Sequence, residues 1–289
     1  MHMKTTKNTL NFFILLIILP FISNSQNKID STNNSITQIS KNFSSAIFSA
    51  SYTNNNLEYL SGVTEKIPTL FSDISYIHKS GLYAGGSFSN YFSDSIKTYE
   101  YSLQAGYQKY FDNGFDIDLS YGMHEFSGDS LLKGLDYKHS LDLMLGYEIG
   151  KFYFSGDVTS MFGTTNNLFF DFSLSHTIQL NHIFFKKDVC LINPTVSLTF
   201  GTDFWIYENM AADEKLTLFS DLSLYGYSHD KFSYEGFNIF LPISYGLNNT
   251  YFTFSWLYRI PSSKYEFLGW EKQSGIMLSL TYFLNFNKK

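Results

Sequence analysis

Residues 112–126 read DNGFDIDLSYGMHEF, and from Phe115 onward large apolar residues alternate with polar ones. Phe115, Ile117, Leu119, Tyr121 and Met123 take the odd positions, and Asp116, Asp118, Ser120, Gly122 and His124 the even ones. Successive side chains of a strand point to opposite faces, whereas a helix repeats its face only every three to four residues. The stretch is therefore a strand with one oily and one wet face. Which medium meets each face decides the fold.

The pattern continues on both sides through tight turns, and the registers agree. Upstream, Tyr99, Tyr101, Leu103, Ala105 and Tyr107 alternate with Glu100, Ser102, Gln104, Gly106 and Gln108. A three-residue turn, Asp112 to Gly114, pairs Phe111 with Phe115 and keeps both apolar sets on one side. Downstream, Tyr137, Leu141, Leu143, Leu145, Tyr147 and Ile149 form the oily face, and Gly150-Lys151 pairs Ile149 with Phe152. In YGLNNTYFTFSW, Asn248-Asn249 suits a type I′ turn that pairs Tyr245 with Phe252, Ile243 with Phe254 and Leu241 with Trp256. Strands are expected at 43–52, 69–78, 82–92, 98–111, 115–125, 135–149, 152–162, 168–181, 189–205, 235–247, 250–260 and 274–286. That makes about twelve, an even count as in bacterial membrane barrels. The segment 214–228, EKLTLFSDLSLYGYS, alternates only in part and is assigned to a long, partly β loop over 206–234. Fourteen strands result if it and one further segment are counted.

Composition narrows the class. Of 289 residues, 30 are Phe and 22 Tyr, whereas only 16% are charged, which is sparse for a surface that faces water. Arg259 is the sole arginine and the net charge is −6, which argues against nucleic acid as a partner and against an arginine-built phosphate site. A single cysteine, Cys190, excludes an intrachain disulfide and a multi-cysteine metal centre. No glycine-rich nucleotide loop is present, so no cofactor is expected.

Lys4 and Lys7 precede the apolar run FFILLIILPFI (12–22) and the small residues of SNSQ, the order of a secretory signal. Cleavage after Ser25 makes 1–25 the signal peptide, 26–42 a polar lead-in and 43–286 one domain. A soluble sandwich would also alternate. Here, however, Phe and Tyr lie near strand ends with Leu, Ile, Val, Ala and Gly between them, while the other face is polar. That is an outward lipid band between aromatic girdles. Within lipid a sheet must close on itself to pair every backbone group. Short turns at one end and the longer linkers 53–68, 126–134, 206–234 and 261–273 at the other give the expected fold: an all-β transmembrane antiparallel barrel.

The signal, the alternating strands and the tail GIMLSLTYFLNF (275–286) resemble outer-membrane β-barrel proteins. The Phe/Tyr/Asn/Lys-rich style, with Gln26 after the cleavage site, is similar to those of the Bacteroidota. The last strand, with Leu280, Tyr282, Leu284 and Phe286 in alternation, is similar to the C-terminal signal read by the barrel-insertion machinery, although Asn287, Lys288 and Lys289 follow it. The resemblance implies an outer-membrane location, with outer-membrane lipid and that machinery as partners.

Assigning the wet face to the lumen yields the candidate lining: Glu100, Asp116, Asp118, Lys138, Asp142, Glu148, Asp157, Asp171 and Arg259. Acids outnumber bases, so a water-filled path would favour cations and uncharged polar solutes. The leading function is a passive, porin-like channel for small solutes or ions. Its rivals are a lumen filled by its own side chains with loops that bind a partner, and a lipid hydrolase. For the hydrolase, His124, Ser127 and Asp129 sit together at a strand's outer end, where a base would neighbour a nucleophile. No metal site is expected, since the carboxylate spacing matches no EF-hand loop.

Overall fold

The computed structural model describes residues 44–56, 66–92, 97–128, 137–163, 166–207, 210–228 and 232–286. The expected signal, the lead-in and Asp129 lie outside the described residues. The strands are β1 (Ser44–Thr53), β2 (Thr69–Ile77), β3 (Leu82–Phe92), β4 (Lys97–Tyr110), β5 (Phe115–Gly128), β6 (Tyr137–Ile149) and β7 (Phe152–Gly163). They continue with β8 (Asn166–His176), β9 (Ile178–Asn181), β10 (Asp188–Ile192), β11 (Thr195–Gly201), β12 (Ser233–Leu247), β13 (Thr250–Pro261) and β14 (Gln273–Phe286).

Neighbours pair antiparallel in chain order from β1 to β8, β1 pairs with β14, and β14, β13, β12, β11 and β8 complete a closed ring of 12 strands. Closure leaves the ring without an exposed edge. The short extra strands β9 and β10 prolong β8 and β11 past that ring, at the end holding the tight turns. The expected strands 168–181 and 189–205 are thus each broken in two. Pro194 has no N–H for the ladder, although its carbonyl still accepts the His176 N–H at 3.1 Å, and beside it the Thr177 hydroxyl donates to Asn193 Oδ1 at 2.8 Å, so a side-chain bond supplements the thinned backbone pairing at the break.

Turn chemistry sets the registers as the sequence implies. Phe111 N–H donates to Phe115 O at 2.7 Å, and Gly114 takes a φ of 83°, a left-handed conformation that glycine adopts without strain. Ile149 pairs with Phe152, and Tyr245, Ile243 and Leu241 pair with Phe252, Phe254 and Trp256. The last hairpin differs from the type I′ expectation: of its two central residues only Asn248 has a positive φ, 52°, the sign pattern of type II′.

Three short helices lie at the opposite, loop end: α1 (Phe204–Tyr207), α2 (Ala212–Leu224) and α3 (Ser263–Phe267). Helix α2 corrects the partly β reading of 214–228. Leu216, Leu218, Leu222 and Leu224 mimic a period of two, but Leu218, Phe219 and Leu222 also satisfy helical spacing. The start is helical too: Asp213 and Glu214 occupy the first turn, and the Glu214 carboxylate accepts the Ala211 N–H at 3.2 Å. Leu222 is buried, and Phe219 meets Tyr207 edge-on at 4.9 Å. No helix among the described residues is long and apolar enough to cross a membrane.

The two faces of each strand are inverted relative to a water-soluble protein. On β5, Asp116 and Ser120 are 3% and 2% exposed, whereas Leu119 and Met123 are 45% and 49% exposed. On β5 the large apolar residues line the outside and Asp116 and Asp118 the inside.

Candidate functional site

The inner wall is built from rows of acids, each held by a hydroxyl from its own strand or from one or two strands away. Tyr83 donates to Asp118 at 2.7 Å, Tyr153 to Asp116 at 3.1 Å, Tyr110 to Glu148 at 2.8 Å and Tyr91 to Glu100 at 2.5 Å. Asp142 accepts from Thr159 at 2.8 Å and Ser140 at 3.1 Å, Asp157 from Ser155 at 3.3 Å, and Asp171 from Thr199 at 2.5 Å. Inward tyrosines occupy the parity of the wet face, so an aromatic ring and its hydroxyl together orient Glu100, Asp116, Asp118 and Glu148. Charge-assisted hydrogen bonds of this kind are worth about 1.5–3 kcal/mol each.

Thus Glu100, Asp116, Asp118, Asp142, Glu148, Asp157 and Asp171 all stand on the inner wall, as does Arg259. Lys138 does not. It is exposed and reaches the likewise exposed Glu125 at 3.2 Å. A bulge between Tyr137 and His139 puts two residues of β6 against one of β7, and one added residue reverses the facing of the residues beyond it along the chain. The same bulge turns Tyr137 from the oily face inward, 4.5 Å from the His124 ring.

Two inward acids on strands of the ring escaped the sequence reading. Asp73 on β2 follows the alternation Phe71, Asp73, Ser75, so its signal was present. Glu235 lies at an irregularity where Thr199 pairs with Gly236 but Phe200 with Tyr234, and parity alone does not find it. Arg259 donates to Glu235 at 3.1 Å and lies 5.5 Å from the Trp270 ring.

Toward the loop end the lumen is occupied. Ile67, Tyr91, Met161, Phe169, Tyr265 and Trp270 form one buried cluster. Tyr91 stands on β3 and Met161 on β7, four interstrand spacings apart, which is roughly 19 Å along the wall. The cluster therefore joins across the lumen, through Tyr265 of α3 and the following Trp270. Beside it Lys264 donates to Asp203 at 2.5 Å and to Ser233 at 3.3 Å. Asp203, Lys264 and Tyr265 are 0%, 6% and 0% exposed. Lys264 and Tyr265 sit on a linker, out of reach of period-two reasoning, whereas Asp203 falls in the expected strand 189–205, which ends instead at Gly201 and leaves it in the connection to α1.

The proposed grouping of His124, Ser127 and Asp129 does not form in the described part. Ser127 is exposed on the outward parity of β5. His124 instead turns inward, with Nδ1 at 2.8 Å from Glu100 Oε1 and Nε2 at 3.1 Å from Ser140 Oγ.

No protein-family model matches the chain, and no curated protein matches it. Among solved structures, the KdgM porin is similar over 82% of this chain and 98% of its own, at 10% identity and a TM-score of 0.47. The NanC porin covers 82% and 98% at 8% identity and a TM-score of 0.46. LpxR from Salmonella typhimurium covers 83% and 100% at 9% identity and a TM-score of 0.47.

Proposed function

We propose that the chain is an outer-membrane barrel whose lumen is a gated path for small cations and uncharged polar solutes. The observation that carries this reading is the inversion of the two faces: hydroxyl-held carboxylates inside against Arg259 and the loop-end Lys264, and exposed Leu, Ile, Met and Tyr outside. Strands of 9 to 15 residues in the ring, β11 excepted, suffice for a tilted membrane crossing. The signal at 1–25 carries the chain across the inner membrane, and the terminal strand, which pairs with β1 from Ser44 to Thr53, presents the segment that the insertion machinery reads.

Fixed carboxylates raise the local concentration of cations and repel anions. An acidic saccharide, such as the oligogalacturonate in a KdgM complex, would meet like charge along this wall. The loop-end cluster, tied down by Lys264–Asp203, acts as the gate. Reversal potentials across a salt gradient in planar bilayers test the reading. Wild type is expected to prefer cations, and Asp142→Asn with Asp157→Asn to move the potential toward zero. A barrel that inserts yet stays silent, with Lys264→Met equally silent, would contradict it.

A second reading, loops that bind an external partner, is supported by α2, where Leu216 and Leu224 are 70% and 80% exposed. Deleting 212–224 should then abolish binding to the cell-surface partner while the barrel still folds.

A further inference from the structure

The hydrogen-bonded series Glu100, His124, Ser140 crosses three strands of the inner wall, β4, β5 and β6. Its order is that of a nucleophile, a base and an orienting acid: Ser140 Oγ lies 3.1 Å from His124 Nε2, and His124 Nδ1 lies 2.8 Å from Glu100 Oε1. Ser89 and Tyr91 hydroxyls donate to Glu100 Oε2 at 3.4 and 2.5 Å, which fixes that carboxylate. Tyr137 packs on the imidazole. Ser140 pairs in register with Gly122 on one side and with Met161 on the other. A Cβ on Gly122 would stand 2.6 Å from Ser140 Oγ and 2.7 Å from His124 Nε2, so the absent side chain gives these two atoms the room in which they meet.

We propose that this triad hydrolyses small acyl esters that enter the lumen, with Ser140 as nucleophile, His124 as general base and Glu100 as the positioning residue. The Oγ of Ser140 bonds to the acyl carbon while its proton passes to His124 Nε2 and then to the departing alkoxide, which leaves as the alcohol. Water then attacks the acyl-serine with the same base, releasing the carboxylic acid and restoring Ser140. The apolar side chain of Met161 borders the acyl side. The Gln104 amide lies opposite Gly122 in the sheet and donates to Ser120 Oγ at 2.8 Å. Asp142, whose carboxylate accepts from Ser140 at 3.1 Å, competes with His124 for the one hydroxyl proton of that serine, and its charge opposes the developing oxyanion. The triad therefore makes an unusual forecast: Asp142→Asn preserves or increases reactivity.

The test uses full-length barrel folded in detergent, diisopropyl fluorophosphate as a covalent probe and p-nitrophenyl acetate as substrate. An adduct on the peptide carrying Ser140 is expected, together with ester turnover that falls at least about 100-fold in Ser140→Ala and His124→Ala. Gly122→Ala should abolish both without unfolding the barrel, as read from its gel mobility before heating. Glu100→Gln should lower both, with partial rescue in Glu100→Asp, which a merely structural role would not produce. No adduct on Ser140, an adduct that forms equally in His124→Ala, or loss of activity in Asp142→Asn would each overturn the proposal. Conductance of the same preparations is read separately, so failure of the channel reading would be seen independently.

Discussion

Gly146 shows how little room single residues on the inner wall have. A Cβ there would fall on the Tyr153 hydroxyl and on Asp116 Oδ1, the two partners of one hydrogen bond. Gly146→Ala should therefore separate them and destabilise the barrel by roughly 1–3 kcal/mol, the penalty for a poorly satisfied buried polar group. Loss of the compact gel mobility at a lower temperature than wild type would show it. At this scale the sequence was legible wherever strict alternation held: Asp116, Asp118, Asp142 and Asp157 could be placed by parity alone. It failed at Lys138 and Glu235, because a bulge resets parity and nothing in the local residue types announces it. The tyrosines that orient the acids were visible as residues but not as partners, since pairing depends on reach across strands.

Among the elements, α3 and the β9–β10 hairpin carry the clearest consequences. Lys264 of α3 and Asp203 are an almost fully buried pair, and removing one partner of such a pair strands the other charge at a cost of roughly 3–5 kcal/mol. Lys264→Met should loosen α3 and raise the fraction of time the barrel conducts, measured in single-channel recordings; an unchanged closed fraction would remove α3 as the gate. At the other end, the Asp188 carboxylate accepts the backbone N–H groups of Ile183, Phe184 and Phe185 at 2.8 to 2.9 Å and the Tyr245 hydroxyl at 2.8 Å. Asp188→Ala should free that turn and make the exposed Lys186-Lys187 pair sensitive to trypsin, while wild type resists. Strands and tight turns could be read from the sequence because their period and their glycines are local. Helix α2 could not, because its leucines satisfy two periods and its only buried residue, Leu222, gains its meaning from packing.

The whole molecule rests on one arrangement, a closed ring whose oily faces point outward and whose strand acids point inward. The membrane-barrel class followed from composition and alternation together, whereas the occupied loop end needed the structure, since linkers from distant parts of the chain meet there. The most direct test returns to β5. Single nitroxide labels at 115 through 124, in a Cys190→Ser background reconstituted into phospholipid vesicles, report access to oxygen from lipid and to a water-soluble relaxant from the lumen. The arrangement predicts strict alternation, with 115, 117, 119, 121 and 123 in lipid and 116, 118, 120, 122 and 124 shielded from it. Equal access along the stretch, or water contact on the odd positions, would contradict it.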